Sequence, residues 1–264
     1  MICMFDKLIE KAEENKTILC FGVDPVQEKI PEGETVISYF SGIIDKLLDE
    51  NQIASIKPNY AFYAQYGFDG LKALKELLDK YKNKTHIILD AKRGDIGKTG
   101  LAYAKEVYDF FGCDAITVSP YMGYDSVEPF LRKGKLVYML CRTSNQGSKD
   151  FQDLLEKSSS KSLFQHIAEK SIEWKTGLVV GATSDAITSI IKITHNKVPF
   201  LIPGIGAQGG DLEMVLNAIK SNLKIHRINS SSGISYAYEK AGGRPADAAL
   251  KEAEKLNNKI RKLF

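Results

Sequence analysis

The sequence predicts an α/β chain folded as a (β/α)8 TIM barrel, with residues 1–264 forming a single domain. Three observations lead there. Eight short apolar, β-branched runs recur along the chain, amphipathic stretches at helical spacing separate them, and no Pro/Gly/Ser-rich linker breaks the alternation. Near-continuous apolar strands belong to a parallel sheet covered by helices, and eight is the number that closes a barrel. A doubly wound open sheet is the second reading.

The first run, Ile18 to Asp24 (ILCFGVD), precedes a stretch in which Val36, Phe40, Ile43, Ile44 and Leu47 share one helical face. The second, Ala54 to Tyr60 (ASIKPNY), precedes Leu71, Leu74, Leu77 and Leu78 at the same spacing, with Lys, Glu and Asp opposite. The third is His86 to Lys92 (HIILDAK), the fourth Ala115 to Pro120, and the fifth Leu136 to Arg142. The polar stretch Thr143 to Ser162 (TSNQGSKDFQDLLEKSSSKS) follows as a predicted mobile loop, its KSSSKS part a solvated turn. Gly177 to Ala182, Phe200 to Ile205 and Ile225 to Ser230 complete the set, with helices starting near Asp211 and near Arg244. The aromatic cluster Tyr60, Phe62, Tyr63, Tyr66 and Phe68 reads as packing or a subunit contact.

Composition narrows the function. With 44% hydrophobic and 26% charged residues the chain is not disordered. Lys plus Arg number 36 against 33 Asp plus Glu, a net +3 that suggests neither a nucleic-acid nor a membrane-surface partner. Cys3, Cys20, Cys113 and Cys141 are scattered, as are the four histidines, so no metal site and no disulfide framework is visible and the thiols are expected to be reduced. The opening MICMFDKLIEK reaches Asp6 and Lys7 too soon for a signal peptide, and no apolar run approaches about 18 residues, so a cytoplasmic location is expected.

In a parallel barrel, function gathers where strands end. Asp24 closes the first run, the second carries Lys57 and Asn59, the third Asp90, Lys92 and Asp95, and Thr143 and Ser144 follow the fifth. In LDAKRGDIGKT, strand alternation sends Asp90 and Lys92 to one face and Arg93 to the other, while Gly94 permits a turn that returns Asp95 to the mouth. Converging carboxylates and ammonium groups have no packing purpose, and burying them is costly unless each is paired. In LIPGIGAQGGDLEMV, four glycines after the seventh strand precede a helix start, which suits a phosphate. Gln208 is the side chain placed to reach it. His86 starts its strand, at the rim opposite catalysis; His166 and His195 read as exposed; and of His226 and Arg227 one must face away from the barrel interior.

Together these segments resemble the orotidine 5'-phosphate (OMP) decarboxylase family over nearly the whole chain. DAKRGD with Thr99 is similar to its Asp-x-Lys-x-x-Asp-x-x-x-Thr signature, FGVDP and IKPNY to its ribose segments, RTSN to its pyrimidine loop and IPGIGAQGGD to its phosphate loop, in the same order. The DAKRGDIGKT form resembles a subgroup found in some bacteria and in malaria parasites. The resemblance implies cofactor-free conversion of OMP to UMP and CO2 in pyrimidine biosynthesis. It gives Lys92 the proton donation, places Asp90 against the substrate carboxylate and has Lys57 hold both. Asp24 and Asn59 would bind ribose, Thr143 and Ser144 the pyrimidine, and Pro203, Gly206, Gln208 and Gly209 the phosphate. It also implies a homodimer in which Asp95, Ile96 and Thr99 reach into the neighbour's site.

The chain departs from the family in one place. INSSSGI puts Ser232 where the family has an arginine on the phosphate, and a hydroxyl lacks the charged fork of a guanidinium. A nearby cation, Arg227 or Arg244, is a candidate substitute, although Arg244 suits the start of the last helix better. Two other readings are a Mg-dependent sugar-phosphate lyase of the same fold and a non-catalytic nucleotide-phosphate binder.

Overall fold

Eight parallel strands close on themselves, each hydrogen-bonded to the next and β8 to β1, in the computed structural model, which describes residues 5–182, 186–205 and 211–264. The strands are β1 Leu19–Val23, β2 Ser55–Pro58, β3 His86–Arg93, β4 Ala115–Val118, β5 Leu136–Arg142, β6 Gly177–Val180, β7 Phe200–Pro203 and β8 Arg227–Ser230. Each lies within the corresponding apolar run or overruns it by one residue.

The covering helices are α1 Asp6–Asn15, α2 Val36–Asp49, α3 Tyr60–Ala64, α4 Gly67–Tyr81, α5 Gly97–Lys105, α6 Leu163–Glu173, α7 Ala186–Thr194 and α8 Leu212–Ile219, then the short α9 Ser232–Ser235 and α10 Tyr238–Ala241, and α11 Pro245–Ile260. Strict alternation fails between β4 and β5. Pro120, Gly123, Pro129 and Gly134 interrupt that connection, which carries only the one-turn helices Tyr124–Ser126 and Glu128–Phe130. The Thr143–Ser162 stretch is built, not featureless: Asp153 pairs with Arg142 at 2.7 Å, and Leu155 bridges to Ser162. Its Ser158 and Ser159 are exposed and cap Glu156.

Period-two alternation sorts the side chains. One set of strand residues, including Phe21, Ile56, Leu89, Ile116 and Ile202, packs against the helices in the main core. The other set fills the barrel: Cys20, Ile88, Ala115, Tyr138, Val179 and Leu201 form an apolar layer, closed below by Leu8 and Ile225. Polar residues lie on both sides of this layer. The lower group is Ser55, His86 and Arg227, and the upper one faces the mouth. No helix among the described residues is long and apolar enough to cross a membrane.

Candidate active site

Above the apolar layer the same inward alternation delivers Asp24 after β1, Lys57 on β2, Asn59 after it, and Asp90 on β3 into one cavity of about 750 Å³. Lys92, Thr143, Ser144, Pro203 and Ser232 line it too. The β1 wall comes close to the segment after β8, because a Cβ on Gly22 would sit 1.8 Å from Ser231 Oγ. Glycine is therefore required there for packing, whatever its backbone angles.

The charged centre is a chain of contacts on Asp90. Lys57 Nζ donates to Oδ2 at 3.1 Å, and Lys92 Nζ and Thr117 Oγ donate to Oδ1 at 2.7 and 2.8 Å. Lys57 is 5% exposed and Lys92 is 49% exposed, so the first is a buried brace and the second is presented to a ligand. Burial alone would raise the Asp90 carboxyl, but the two ammonium groups outweigh it and hold it well below the usual carboxylate range. Burial would likewise lower Lys57, but Asp90 and Asp24 outweigh it and keep that ammonium above its ordinary value. Lys57 and Asp90 are thus both ionised throughout the neutral range.

Lys92 reaches this place by a route that alternation alone does not describe. Its φ is +46°, β3 changes register against β4 between Leu89 and Arg93, and the Lys92 N–H is caught by Thr117 Oγ at 3.0 Å. A left-handed non-glycine residue costs on the order of 1 kcal/mol or more, so its presence at the mouth is held by surrounding contacts. Arg93 turns outward as expected, pairing with Glu106 at 2.9 Å and lying against the rings of Tyr60 and Tyr103.

Around this centre, Asp24 Oδ1 accepts from the Asn59 backbone N–H at 3.1 Å, while Asn59 Oδ1 caps α3 by accepting from Ala61 N–H. Thr143 donates to Asn145 at 2.7 Å and its backbone N–H donates to Gln152 at 2.8 Å. Thr117 and Gln152 both line the cavity and escaped the sequence reading. The signal for Thr117 was present: a lone hydroxyl at an inward position of the otherwise apolar β4. Gln152 sits in a polar loop where nothing marks it.

Several other residues singled out in the sequence stand outside this cavity. Asp95 does not line this chain's cavity; its carboxylate caps Ile96 N–H at 2.8 Å, and Ile96 and Thr99 are exposed outside it. Arg227 cannot replace the missing arginine, because it is the first residue of β8 and so belongs to the opposite rim. There it donates to Ser55 Oγ at 2.7 Å, to the His226 carbonyl at 2.8 Å and to the Leu8 carbonyl. Arg244 is 85% exposed at the start of α11, bonded to Asp247, and it too stands outside the cavity. Gly206, Gln208 and Gly209 fall outside the described residues. His226 is the outward member of its pair: Nδ1 accepts from Phe200 N–H at 3.1 Å, which leaves Nε2 to donate to Asn196 Oδ1 at 2.9 Å. Burial and then Arg227 push it down to about 3, so it is neutral. His86 is buried beside Ser55 at the lower rim, His195 is exposed, and His166 is half-buried.

Comparison with known proteins agrees with this geometry. Residues 17–241 match the model of the orotidine 5'-phosphate decarboxylase / HUMPS family. An orotidine 5'-phosphate decarboxylase of Dehalococcoides mccartyi is 39% identical over 263 residues, covering 97% of this chain and 96% of that protein. One from Herpetosiphon aurantiacus is 41% identical over 254 residues, 92% of each. The structure of Leishmania donovani OMP decarboxylase superposes with a TM-score of 0.80 at 33% identity, covering 99% of this chain and all of that one. With an eight-stranded closed barrel, a Lys-Asp-Lys array at its mouth and a match of this extent, the chain belongs to the orotidine 5'-phosphate decarboxylase family.

Proposed function

We propose that this chain converts OMP to UMP and CO2, the carbon–carbon lyase step of pyrimidine nucleotide synthesis, with Lys92 as proton donor. The observation that carries the reading is the Lys57–Asp90–Lys92 array inside the cavity. Breaking the bond to CO2 leaves its electron pair on a ring carbon with no adjacent electron sink. A fixed cation that can also give a proton to that carbon meets both needs. Lys92 then becomes a neutral amine and recovers its proton from solvent. At an effective dielectric near 20, unit charges about 4 Å apart interact by roughly 4 kcal/mol, a substantial part of a barrier. Asp90 beside the departing carboxylate holds Lys92 in place, and Lys57 holds Asp90. No cofactor enters this scheme.

In the same reading Asp24 and Asn59 bind the ribose, Thr143 and Ser144 the pyrimidine, and Pro203, Gly206, Gln208, Gly209 and Ser232 border the phosphate. The enzyme acts as a cytoplasmic homodimer of one-domain subunits, with Asp95, Ile96 and Thr99 entering the partner's site. The outward placement of these three, among the exposed apolar side chains of Ile96, Leu101, Tyr121 and Met122, supports that arrangement. A Mg-dependent lyase is disfavoured because both Asp90 oxygens are already held by cations and a hydroxyl. A pure binder would have no use for the array. The test is loss of OMP absorbance with EDTA present: rapid loss supports the proposal. EDTA-sensitive turnover of a sugar phosphate, or stabilisation by UMP without turnover of OMP, would refute it.

A further inference from the structure

The cavity's phosphate end lacks the arginine, and the structure offers another cation. Among the described lining residues three are cationic, and of these Lys57 and Lys92 are engaged by Asp90, leaving Lys29. Residues 206–210 read GAQGG and add none. Lys240, Lys251 and Lys255 border a neighbouring depression that includes Ser232 but not Asp90.

Lys29 ends a one-turn helix, Gln27–Lys29, on the loop after β1, and that loop is fastened to the segment after β8. Tyr236 Oη accepts from Val26 N–H at 2.8 Å and donates to the Asp24 carbonyl at 3.0 Å. Tyr238 Oη donates to the Lys29 carbonyl at 2.8 Å. The Lys29 ammonium lies 5.2 Å from the Tyr236 ring centroid, and the Tyr236 N–H donates to the Ser232 carbonyl at 3.1 Å. Lys29, Tyr236 and Ser232 therefore line one wall of the same cavity, with Tyr236 linking the other two. Its present partner is Glu239, at 2.6 Å, and both side chains are about two-fifths exposed. An exposed pair of that kind is held weakly, so a dianion can displace the carboxylate.

Building on the decarboxylase reading, we propose that Lys29 binds the substrate phosphate in place of the missing arginine, with Glu239 holding the ammonium ready until the dianion arrives. The experiment compares UMP and uridine binding, and OMP turnover, in the wild type, Lys29→Gln, Glu239→Gln and the double variant Lys29→Gln/Ser232→Arg. The expected result is UMP affinity at least tenfold lower in Lys29→Gln with uridine affinity within twofold, and KM for OMP raised more than kcat is lowered. The double variant recovers most of the loss, and Glu239→Gln binds UMP at least as well as the wild type. UMP affinity unchanged in Lys29→Gln, or UMP and uridine weakened equally, would overturn the proposal. A wild type that binds UMP but does not turn over OMP counts against the decarboxylase reading instead. The UMP-to-uridine comparison needs no turnover and decides on Lys29 either way.

Discussion

Two layers of buried charge lie inside the same barrel, on either side of one apolar layer, and they are solved in opposite ways. At the mouth, Lys57 is buried against a carboxylate that also holds Lys92 and a hydroxyl, in a cavity open to ligands. At the floor, Arg227 is wholly buried and bonded to Ser55 and to backbone carbonyls, with no carboxylate among its described hydrogen-bond partners. Burial lowers it to about 10, which still leaves it charged. The Leu8 carbonyl it grips belongs to α1, which crosses the lower opening and is also tied by Lys7 to Asp114 at 2.7 Å. Carbonyl solvation satisfies a cation without leaving any opposed charge to act on a substrate. A counter-ion array at an open rim does leave such charge. Position along the strand, more than residue type, separates chemistry from structural support.

Substitutions on either side of the apolar layer can test that contrast. Lys57→Met removes one of the two cations from a buried carboxylate. Turnover should fall by three orders of magnitude or more, and because an uncompensated charge remains, stability should fall by about 3–5 kcal/mol. Equal turnover in the variant would mean that Lys57 only packs. Arg227→Ala leaves carbonyls unsatisfied beside a new cavity, so thermal denaturation should report a loss of about 2–4 kcal/mol while kcat of the folded fraction stays within about threefold. A large kcat change there would dissolve the distinction between the two layers. Thr117→Val removes the hydroxyl that bonds both Asp90 and the Lys92 backbone. Steady-state kinetics should show kcat reduced roughly 10- to 100-fold with little change in KM.

The smallest effect is one of pH. His226 has a folded value of about 3 against an ordinary 6.5, so the unfolded chain takes up a proton that the native chain refuses. Its stabilising contribution is complete above about pH 6.5 and shrinks as pH falls toward 3, and His86, also held well below its ordinary value by burial, acts in the same direction. Asp90 adds its own loss only below about pH 4, the ordinary carboxylate range. Melting temperature should therefore decline from about pH 6.5 to 4.5, before carboxylates titrate. A flat profile across that interval would contradict a neutral His226.

What was legible in the sequence divides along the same line. All eight strands were readable because apolar runs and period-two alternation follow directly from burial, and alternation also brought Asp24, Lys57, Asn59 and Asp90 to one face. The left-handed backbone at Lys92 was not readable, since it depends on a bond from Thr117 on another strand. Lys29 was missed for a similar reason: it joins the cavity through tyrosines more than 200 positions away in sequence. Arg227 was misjudged as a substitute cation although its place at the beginning of β8 already assigned it to the other rim.

In the proposed reaction the ammonium that Lys92 presents at the mouth protonates the carbon that loses CO2. Single-turnover decarboxylation of OMP by Lys92→Ala, measured beside UMP binding in the same preparation, decides whether it does. Turnover should lie at least about 10³-fold below wild type, with UMP still bound within about tenfold. Turnover near the wild-type rate in a variant that binds UMP normally would contradict it.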